Sequence, residues 1–295
     1  MNRELTKALW SDALEFFRQA GENRVEPSYA LREDLAGLRI YEEPIFAVAG
    51  AGDVMFEGLK QEHAIGPHYL TPKEWLPSAL TVVAYFLPFS ETVRRSNRIH
   101  PSHPSTEWQH GRIEGELMNT VFRRYIAAWL REQGFESLIP GEDPRYQVRE
   151  PVSSNWSERH AAYIAGLGTF GMSKGLITEK GIAGRVGTVI TSAPLAVTER
   201  PYHDLYEYCN RCGACARRCP AGAITPGPNL HSCKSNPACG DFLQPLKDWS
   251  AAGGDTRPPE EQDEYRPEKM RIRFGCGKCQ AGVPCESRIP RQRSE

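Results

Sequence analysis

The stretch CNRCGACARRCP, residues 209–220, is the most informative part of this 295-residue chain. It contains four of the nine cysteines, and the remaining five follow it at Cys233, Cys239, Cys276, Cys279 and Cys285. The first 208 residues contain no cysteine. Disulfide frameworks are typical of small secreted chains, whereas clustered cysteines in a larger intracellular protein indicate metal or cofactor binding. The chain therefore divides into a cysteine-free body and a cysteine-rich tail.

The spacing of the first four cysteines is that of the run that binds [4Fe–4S] clusters in bacterial two-cluster ferredoxins. In that run three thiolates bind one cluster, and the fourth binds the other cluster. A structural zinc site also uses Cys-x-x-Cys pairs, and it needs four ligands in a tetrahedral arrangement. It does not explain why four cysteines follow one another so closely before a proline. We therefore predict a ferredoxin-like tail with two [4Fe–4S] clusters.

Ligand swapping of the ferredoxin kind assigns eight of the nine cysteines. The first cluster takes Cys209, Cys212, Cys215 and Cys285. The second cluster takes Cys219, Cys233, Cys276 and Cys279. Cys239 is then left over, and we interpret it as a small buried residue. The alternative is that Cys239 replaces Cys233 as a ligand.

The charges of the chain are nearly balanced, with 36 Lys and Arg against 37 Asp and Glu. This balance argues against bulk electrostatic binding to nucleic acid or to an anionic membrane. The longest apolar run, residues 79–87, is much shorter than the roughly 20 residues that span a bilayer. The amphipathic N-terminal segment has acidic residues and no small-residue cleavage site. We therefore expect a cytoplasmic protein.

The body mixes helical and extended patterns, which predicts the α/β (α+β) class. Three segments have apolar residues at helical spacing: 1–17, 107–133 and 158–165. Three short apolar runs are typical of buried strands: 44–50, 79–87 and 185–191. The polar residues 91–106 predict an exposed loop or lid. We place a sheet-and-helix body at residues 1–200 and the cluster domain at residues 201–295.

The pattern Gly166-x-Gly168-x-x-Gly171 formally fits the dinucleotide fingerprint. A dinucleotide site needs a strand before the glycines and a helix after them, but here a helix precedes and a glycine-rich segment follows. The sequence also has no phosphate-binding loop, zinc-protease helix or nucleophile elbow. NAD(P) binding and hydrolysis therefore have little support.

Several segments are shared with a known family: Glu158-Arg159-His160-Ala161-Ala162, Ala165-Gly166-Leu167-Gly168, Gly171, Arg185-Val186-Gly187 and the cysteines. Together they resemble the iron–sulfur, cobalamin-dependent family that contains the epoxyqueuosine reductases and the catalytic core of reductive dehalogenases. The resemblance covers residues 40–290.

The resemblance implies a nitroreductase-like body that holds base-off cobalamin, with the first cluster next to the corrin ring and the second near the surface. Electrons would pass from an external low-potential donor of the ferredoxin or flavodoxin type through the second and then the first cluster to cobalt. The candidate cofactor contacts are Gly166, Leu167, Gly168, Thr169, Phe170, Gly171, Lys174 and Arg185. For the glycines the alternative is a tight turn, and for Lys174 and Arg185 it is solvated surface charge.

The sequence also departs from the family. Epoxyqueuosine reductases carry an acidic proton donor shortly before the Glu-Arg pair, whereas PVSSNWSER, residues 151–159, contains no aspartate. CQAGVPC, residues 279–285, has five residues between its cysteines where the tRNA-modifying enzymes have three. The candidates for a replacement catalytic group are His110, Tyr125, Ser154, His160 and Tyr163. A packed, hydrogen-bonded structural role is the alternative for each.

Our leading hypothesis is a cobalamin-dependent reductase acting on a small-molecule or nucleoside-like substrate. A second hypothesis is an electron-transfer protein that reduces or services a corrinoid protein. A third is a flavin-linked reductase, because nitroreductase-like bodies also hold FMN. A tRNA partner is less favoured, since the net charge is −1 and the basic residues are scattered.

Overall fold

The computed structural model describes residues 2–149, 153–251 and 275–291. The helices are α1 (Arg3–Gln19), α2 (Val54–Gly58), α3 (Pro72–Trp75), α4 (Glu91–Ile99), α5 (Thr106–Glu132), α6 (Glu158–Ala165), α7 (Ala214–Arg217) and α8 (Asn236–Ala251). The strands are β1 (Ile45–Gly50), β2 (Thr81–Pro88), β3 (Ser137–Leu138), β4 (Val148–Arg149), β5 (Ser153–Ser154), β6 (Gly168–Phe170), β7 (Leu176–Thr178) and β8 (Gly184–Thr191). The predicted mixed helix-and-sheet class is confirmed.

A four-stranded antiparallel sheet with the order β1-β2-β8-β3 forms the centre of the body. Every residue of β2 is buried, which explains its continuous apolar sequence. Because side chains alternate along a strand, Val83 and Tyr85 pack on one face of the sheet, and Val82 and Ala84 pack on the other.

Helices cover both faces of the sheet. α1 and α5 pack together on one face, where α1 buries Leu9, Ala13 and Phe17. α5 ends just before Gly134, whose φ of 85° is readily adopted only by glycine. α6 packs on the opposite face of the sheet, against β1, β2 and β8. The three predicted helices and the three predicted strands are therefore confirmed.

The prediction of an exposed loop or lid at residues 91–106 was wrong over its first part, where the chain forms α4. Ser90 caps this helix by accepting a hydrogen bond from the Val93 amide. The buried face of α4 includes the polar residues Arg94 and Asn97, so apolar spacing does not reveal it. Arg94 pairs with Glu42 at 2.9 Å, and Asn97 bonds to the cysteine-rich tail.

The tail has few regular elements and packs on the body through α4 and the start of α5. Asn97 Nδ2 donates to the Cys276 carbonyl at 3.0 Å, and Arg98 pairs with the buried Glu286. A Cβ at Gly277 would lie 2.0 Å from the Trp108 ring, so only glycine permits this approach. In the described ranges, no helix has both the length and the apolarity to cross a membrane.

Candidate functional site

Four cysteines of the tail share one pocket. Cys209, Cys212, Cys215 and Cys285 line this pocket, which is closed on the body side by Ile177 and Ile182. The sequence assigned these four cysteines to the first cluster. Burial raises the pKa of Cys215 to about 11 and that of Cys285 to about 12. These thiols therefore keep their protons unless a cation replaces them.

The other cysteines form a second group. Cys233 is buried in a cluster against which Cys219 and Cys279 pack, together with Cys209 and Cys215 of the first group. Cys239 acts electrostatically on both Cys276 and Cys279, so it also lies near this group. Cys233 and Cys239 therefore both remain candidates for the fourth ligand. Across the described segments, no group of three or more His, Cys, Asp or Glu side chains could hold a single metal ion.

Lys278 lies between two cysteines of this second group and is fully buried. Its ammonium donates to the backbone and side-chain oxygens of Asn97, at 3.0 and 2.9 Å. Both acceptors are neutral. Burial, together with the nearby Arg218, lowers the pKa of Lys278 to about 8.

Two cavities adjoin each other beside α6. The polar cavity has a volume of about 610 Å³, and its charged lining residues are Arg112, Glu116, Arg123, Glu158, Arg159 and Arg185. The apolar cavity has a volume of about 780 Å³, and its walls include Tyr163, Phe170 and Tyr206. The two cavities share four wall residues: Tyr146, Ser154, Ser157 and Arg159.

The polar cavity contains more guanidinium groups than carboxylates. Arg123 pairs with Glu158 at 2.9 Å and with Glu116 at 3.3 Å, and Arg185 lies 3.5 Å from Glu116. The Nε atoms of Arg112, Arg123 and Arg185 are buried, and within the described residues they have no hydrogen-bond partner. Burial, and then the neighbouring Arg185, lowers the pKa of Arg112 to about 10. The cavity therefore offers donors to an anionic or carbonyl-bearing ligand.

Three of the five candidate catalytic residues, Ser154, His160 and Tyr163, line the apolar cavity. The Nδ1 atom of His160 lies 2.7 Å from the Ser157 hydroxyl, and its ring lies 4.8 Å from that of Phe170. Burial, followed by Arg159 and His231, lowers the pKa of His160 to about 4, so this imidazole is neutral at pH 7. Burial raises the pKa of Tyr163.

The other two catalytic candidates lie elsewhere on α5. His110 is fully buried, where Nδ1 lies 2.8 Å from Glu114 and Nε2 accepts from the Leu31 amide. Tyr125 stacks on Phe16 and donates to the Asp12 carbonyl. Neither residue lines the polar or the apolar cavity.

The first half of the glycine-rich segment is explained by the fold. Gly166 ends α6 with a φ of 100°. A Cβ at Gly168 would lie 2.0 Å from the Ile177 carbonyl oxygen across the β6–β7 pair. Leu167 is buried, and the Thr169 hydroxyl accepts from the Tyr208 amide at 2.9 Å.

The second half of the segment borders the cavities. Phe170 and Lys174 line the apolar cavity, and Gly171 lines the pocket of the first cysteine group. Arg185, on β8, lines the polar cavity. The predicted cofactor residues are thus divided between the hairpin fold and the cavity walls.

Sequence reasoning did not single out Arg112, Arg123 and Glu158 as site residues. Arg112 and Arg123 belong to α5 and Glu158 begins α6, so they are far apart in sequence and meet only across β8. A charge on an amphipathic helix looks the same in sequence whether it faces solvent or a cavity.

The two cysteine groups have different surroundings. Cys279, of the second group, interacts electrostatically with Arg159, and its neighbour Gln280 lines the polar cavity. The first group lies beside Arg211, which is exposed and lines the same pocket as Cys212. The second group therefore lies nearer the cavities.

The cysteine-rich tail matches a known family model. Residues 204–225 match the 4Fe-4S binding domain. Over 156 residues the chain is 30% identical to epoxyqueuosine reductases of Bacillus anthracis and Bacillus cereus. That stretch is 52% of this chain and 36% of each relative, so the chain spans little more than a third of the length of these curated relatives.

Solved structures also show similarity. An epoxyqueuosine reductase from Bacillus subtilis has 17% identity and a TM-score of 0.47, over 97% of this chain and 70% of that one. An epoxyqueuosine reductase with a tRNA stem loop has 18% identity and the same score, over 95% and 66%. A B12-dependent reductive dehalogenase has 17% identity and a score of 0.44, over 62% and 24%.

Proposed function

Because this chain is a divergent relative of the epoxyqueuosine reductases with a 4Fe-4S binding domain, we propose that it is an iron–sulfur oxidoreductase that uses cobalamin. In this proposal, electrons pass through two [4Fe–4S] clusters to a base-off cobalamin, and a small-molecule or nucleoside-like substrate is reduced. The observation that carries the proposal is the pair of adjoining cavities, whose shared wall residue Arg159 lies beside Cys279.

The two cavities suit the two parts of a cobalamin. A corrin is a flat ring with apolar faces and amide arms, and its nucleotide tail carries a phosphate. The apolar cavity, with Tyr163 and Phe170 in its walls, suits the ring. The guanidinium groups of Arg112, Arg123 and Arg185, which line the polar cavity, suit the phosphate and the amide oxygens. We therefore assign the ring to the apolar cavity and the tail to the polar cavity.

The cysteines suit iron–sulfur clusters for a separate reason. Burial raises the pKa of Cys215, Cys279 and Cys285, which makes free thiolates unfavourable at neutral pH. Iron stabilises thiolates at such positions. When bound, the clusters supply one-electron transfer and the cobalamin supplies a redox-active cobalt.

The placement of the cysteine groups favours one direction of electron flow. The first group lies beside exposed residues such as Arg211, and the second group lies beside Arg159 and the polar cavity. Electrons would therefore enter at the first group and leave at the second. This order is the reverse of the one that the family resemblance implies.

In the apolar cavity, one side chain is suited to supply a proton and another to donate a hydrogen bond. Burial lowers the pKa of Lys174, which makes Lys174 Nζ a stronger acid than an ordinary lysine. The raised pKa of Tyr163 keeps its hydroxyl protonated, so that Oη can donate a hydrogen bond. His160 is neutral and held by Ser157, and we assign it a packing role.

The proposal is tested by anaerobic purification, iron analysis and titration with hydroxocobalamin plus a strong reductant. The wild type is expected to hold about eight irons per chain and to give the spectrum of base-off cobalamin. Ser154→Trp, which places a large ring in the shared wall, should abolish corrinoid binding and leave the iron content unchanged. Ser28→Trp, at an exposed position outside both cavities, is the matched control.

Eight irons without corrinoid binding would contradict the cobalamin step and support the electron-transfer hypothesis. Yellow flavin absorbance in the purified protein would support the FMN hypothesis instead. If corrinoid binds, an epoxyqueuosine-containing tRNA stem loop and the free nucleoside are the first substrates to compare, because one relative was solved with such a stem loop.

A further inference from the structure

Four exposed arginines, which we call the arginine rim, surround the first cysteine group: Arg211, Arg217, Arg288 and Arg291. Arg217 donates to the Cys212 carbonyl at 3.1 Å, and Arg211 lines the cysteine pocket. The Arg291 carbonyl accepts from Asn210 Nδ2 at 2.9 Å, which holds this residue beside the same loop. Arg288 follows Cys285 by three residues.

Some exposed arginines of the body are paired with a carboxylate. Arg18 and Arg124 each pair with a glutamate, at 2.7 and 2.9 Å. None of the ion pairs that the structure describes includes a rim arginine. The rim therefore presents positive charge that no described carboxylate pairs with directly.

The acidic residues that precede the first cysteine are engaged locally. Glu207 accepts from the backbone amides of His203 and Asp204, and Asp204 accepts from the Tyr206 amide at 2.7 Å. Their carboxylates thus stabilise the turn that leads into Cys209.

We propose that the arginine rim is the docking surface for an acidic, low-potential electron carrier of the iron–sulfur or flavin type. This inference rests on the proposed function and deepens it by giving the place where the electron donor makes contact. Clustered exposed cations raise the rate of encounter with an acidic protein. Docking here brings the carrier next to Cys212 and Cys285, where electrons enter in the proposed order.

The transfer is balanced without further reactants. One electron leaves the reduced carrier and one electron is gained at the first cluster, with no bond formed or broken. A polyanion such as RNA is also attracted by arginines. Bound at the rim, however, RNA would lie at the first cysteine group, whereas the cavities border the second group.

The test is the rate at which a reduced, acidic two-iron ferredoxin bleaches the cluster absorbance of the whole protein, followed by stopped flow. For Arg211→Glu/Arg217→Glu the second-order rate constant is expected to fall at least tenfold, because the reversed charges repel the carrier. Reduction by dithionite, which needs no docking, should be unchanged. The matched control Arg95→Glu/Arg124→Glu reverses two exposed charges of the body and should change the rate less than twofold.

The wild-type rate should also fall steeply with added salt, because salt screens the attraction. Equal rates in the rim variant and the wild type, or no salt dependence, would overturn the proposal. Loss of tRNA stem-loop binding in the rim variant, with an unchanged ferredoxin rate, would identify an RNA surface and overturn it too. If Arg211→Glu/Arg217→Glu loses iron, the same rates are measured for Arg288→Glu/Arg291→Glu instead.

Failure of the docking surface can be distinguished from failure of the proposed function. The cluster absorbance needs neither cobalamin nor substrate, so a protein that binds no corrinoid still gives a result here. A protein that binds corrinoid but takes electrons equally well in all variants would overturn only the docking surface.

Discussion

The body and the cysteine-rich tail balance their charges in different ways. In the body, Arg123 lies between Glu158 and Glu116, and Arg94 pairs with Glu42. In the tail, Arg218 and Lys278 donate to carbonyl and amide oxygens instead. Because a buried charge without compensation is costly, the comparison indicates that the body balances Arg94 and Arg123 with its own carboxylates. In the tail, we propose, the bound clusters provide them.

The largest expected effect comes from removing cluster ligands. Cys212→Ala and Cys276→Ala should each lower the iron content from about eight to about four per chain, since each removes one ligand of one cluster. Metal binding is coupled to folding, so hydrogen exchange should speed up in the tail and stay slow in the sheet of the body. Iron that stays near eight in either variant would contradict the assignment of the ligands.

The same measurement separates Cys233 from Cys239. If Cys233 is the ligand, Cys233→Ala should lose about half of the iron, and Cys239→Ala should retain it. The reverse result would show that Cys239, which lies near Cys276 and Cys279, takes the place of Cys233.

A smaller effect is expected when a counter-ion pair of the body is broken. Arg123→Met leaves Glu158 and Glu116 without their shared arginine and should lower the free energy of unfolding by about 2–3 kcal/mol. The neighbouring Arg124 makes an exposed pair with Glu142, so Arg124→Met should cost less than about 0.5 kcal/mol. Denaturant unfolding of the two variants measures the difference, and equal costs would refute the role assigned to Arg123.

The smallest effect is expected at Lys278. If the second cluster balances this ammonium, Lys278→Met should lower the midpoint potential of one cluster, because a reduced cluster gains a negative charge that Lys278 stabilises. An interaction of about 1 kcal/mol corresponds to roughly 40 mV for one electron. Redox titration followed by EPR measures the shift, with Lys7→Met at an exposed site of α1 as the control. An unchanged potential would show that Lys278 only anchors Asn97.

The sequence by itself determined the mixed helix-and-sheet class of this protein, three helices of its body and the three longest strands of its central sheet. Apolar residues at helical spacing predicted α1, α5 and α6, and short apolar runs predicted β1, β2 and β8. These predictions succeeded because burial against a sheet leaves a periodic pattern of apolar residues. The cysteine spacing indicated the 4Fe-4S binding domain for the same kind of reason, since ligands to one cluster must be close in the chain or in a short loop.

The tertiary structure alone decided which distant side chains share a site. α4 was missed because Arg94 and Asn97, on its buried face, are polar and find partners in other segments. Arg123 and Glu158 meet 35 positions apart because α5 and α6 both border one cavity beside β8. Local periodicity carries no information about such contacts, since they depend on how helices and sheet pack. The same packing sets the second cysteine group against the polar cavity and the first group beside the arginine rim.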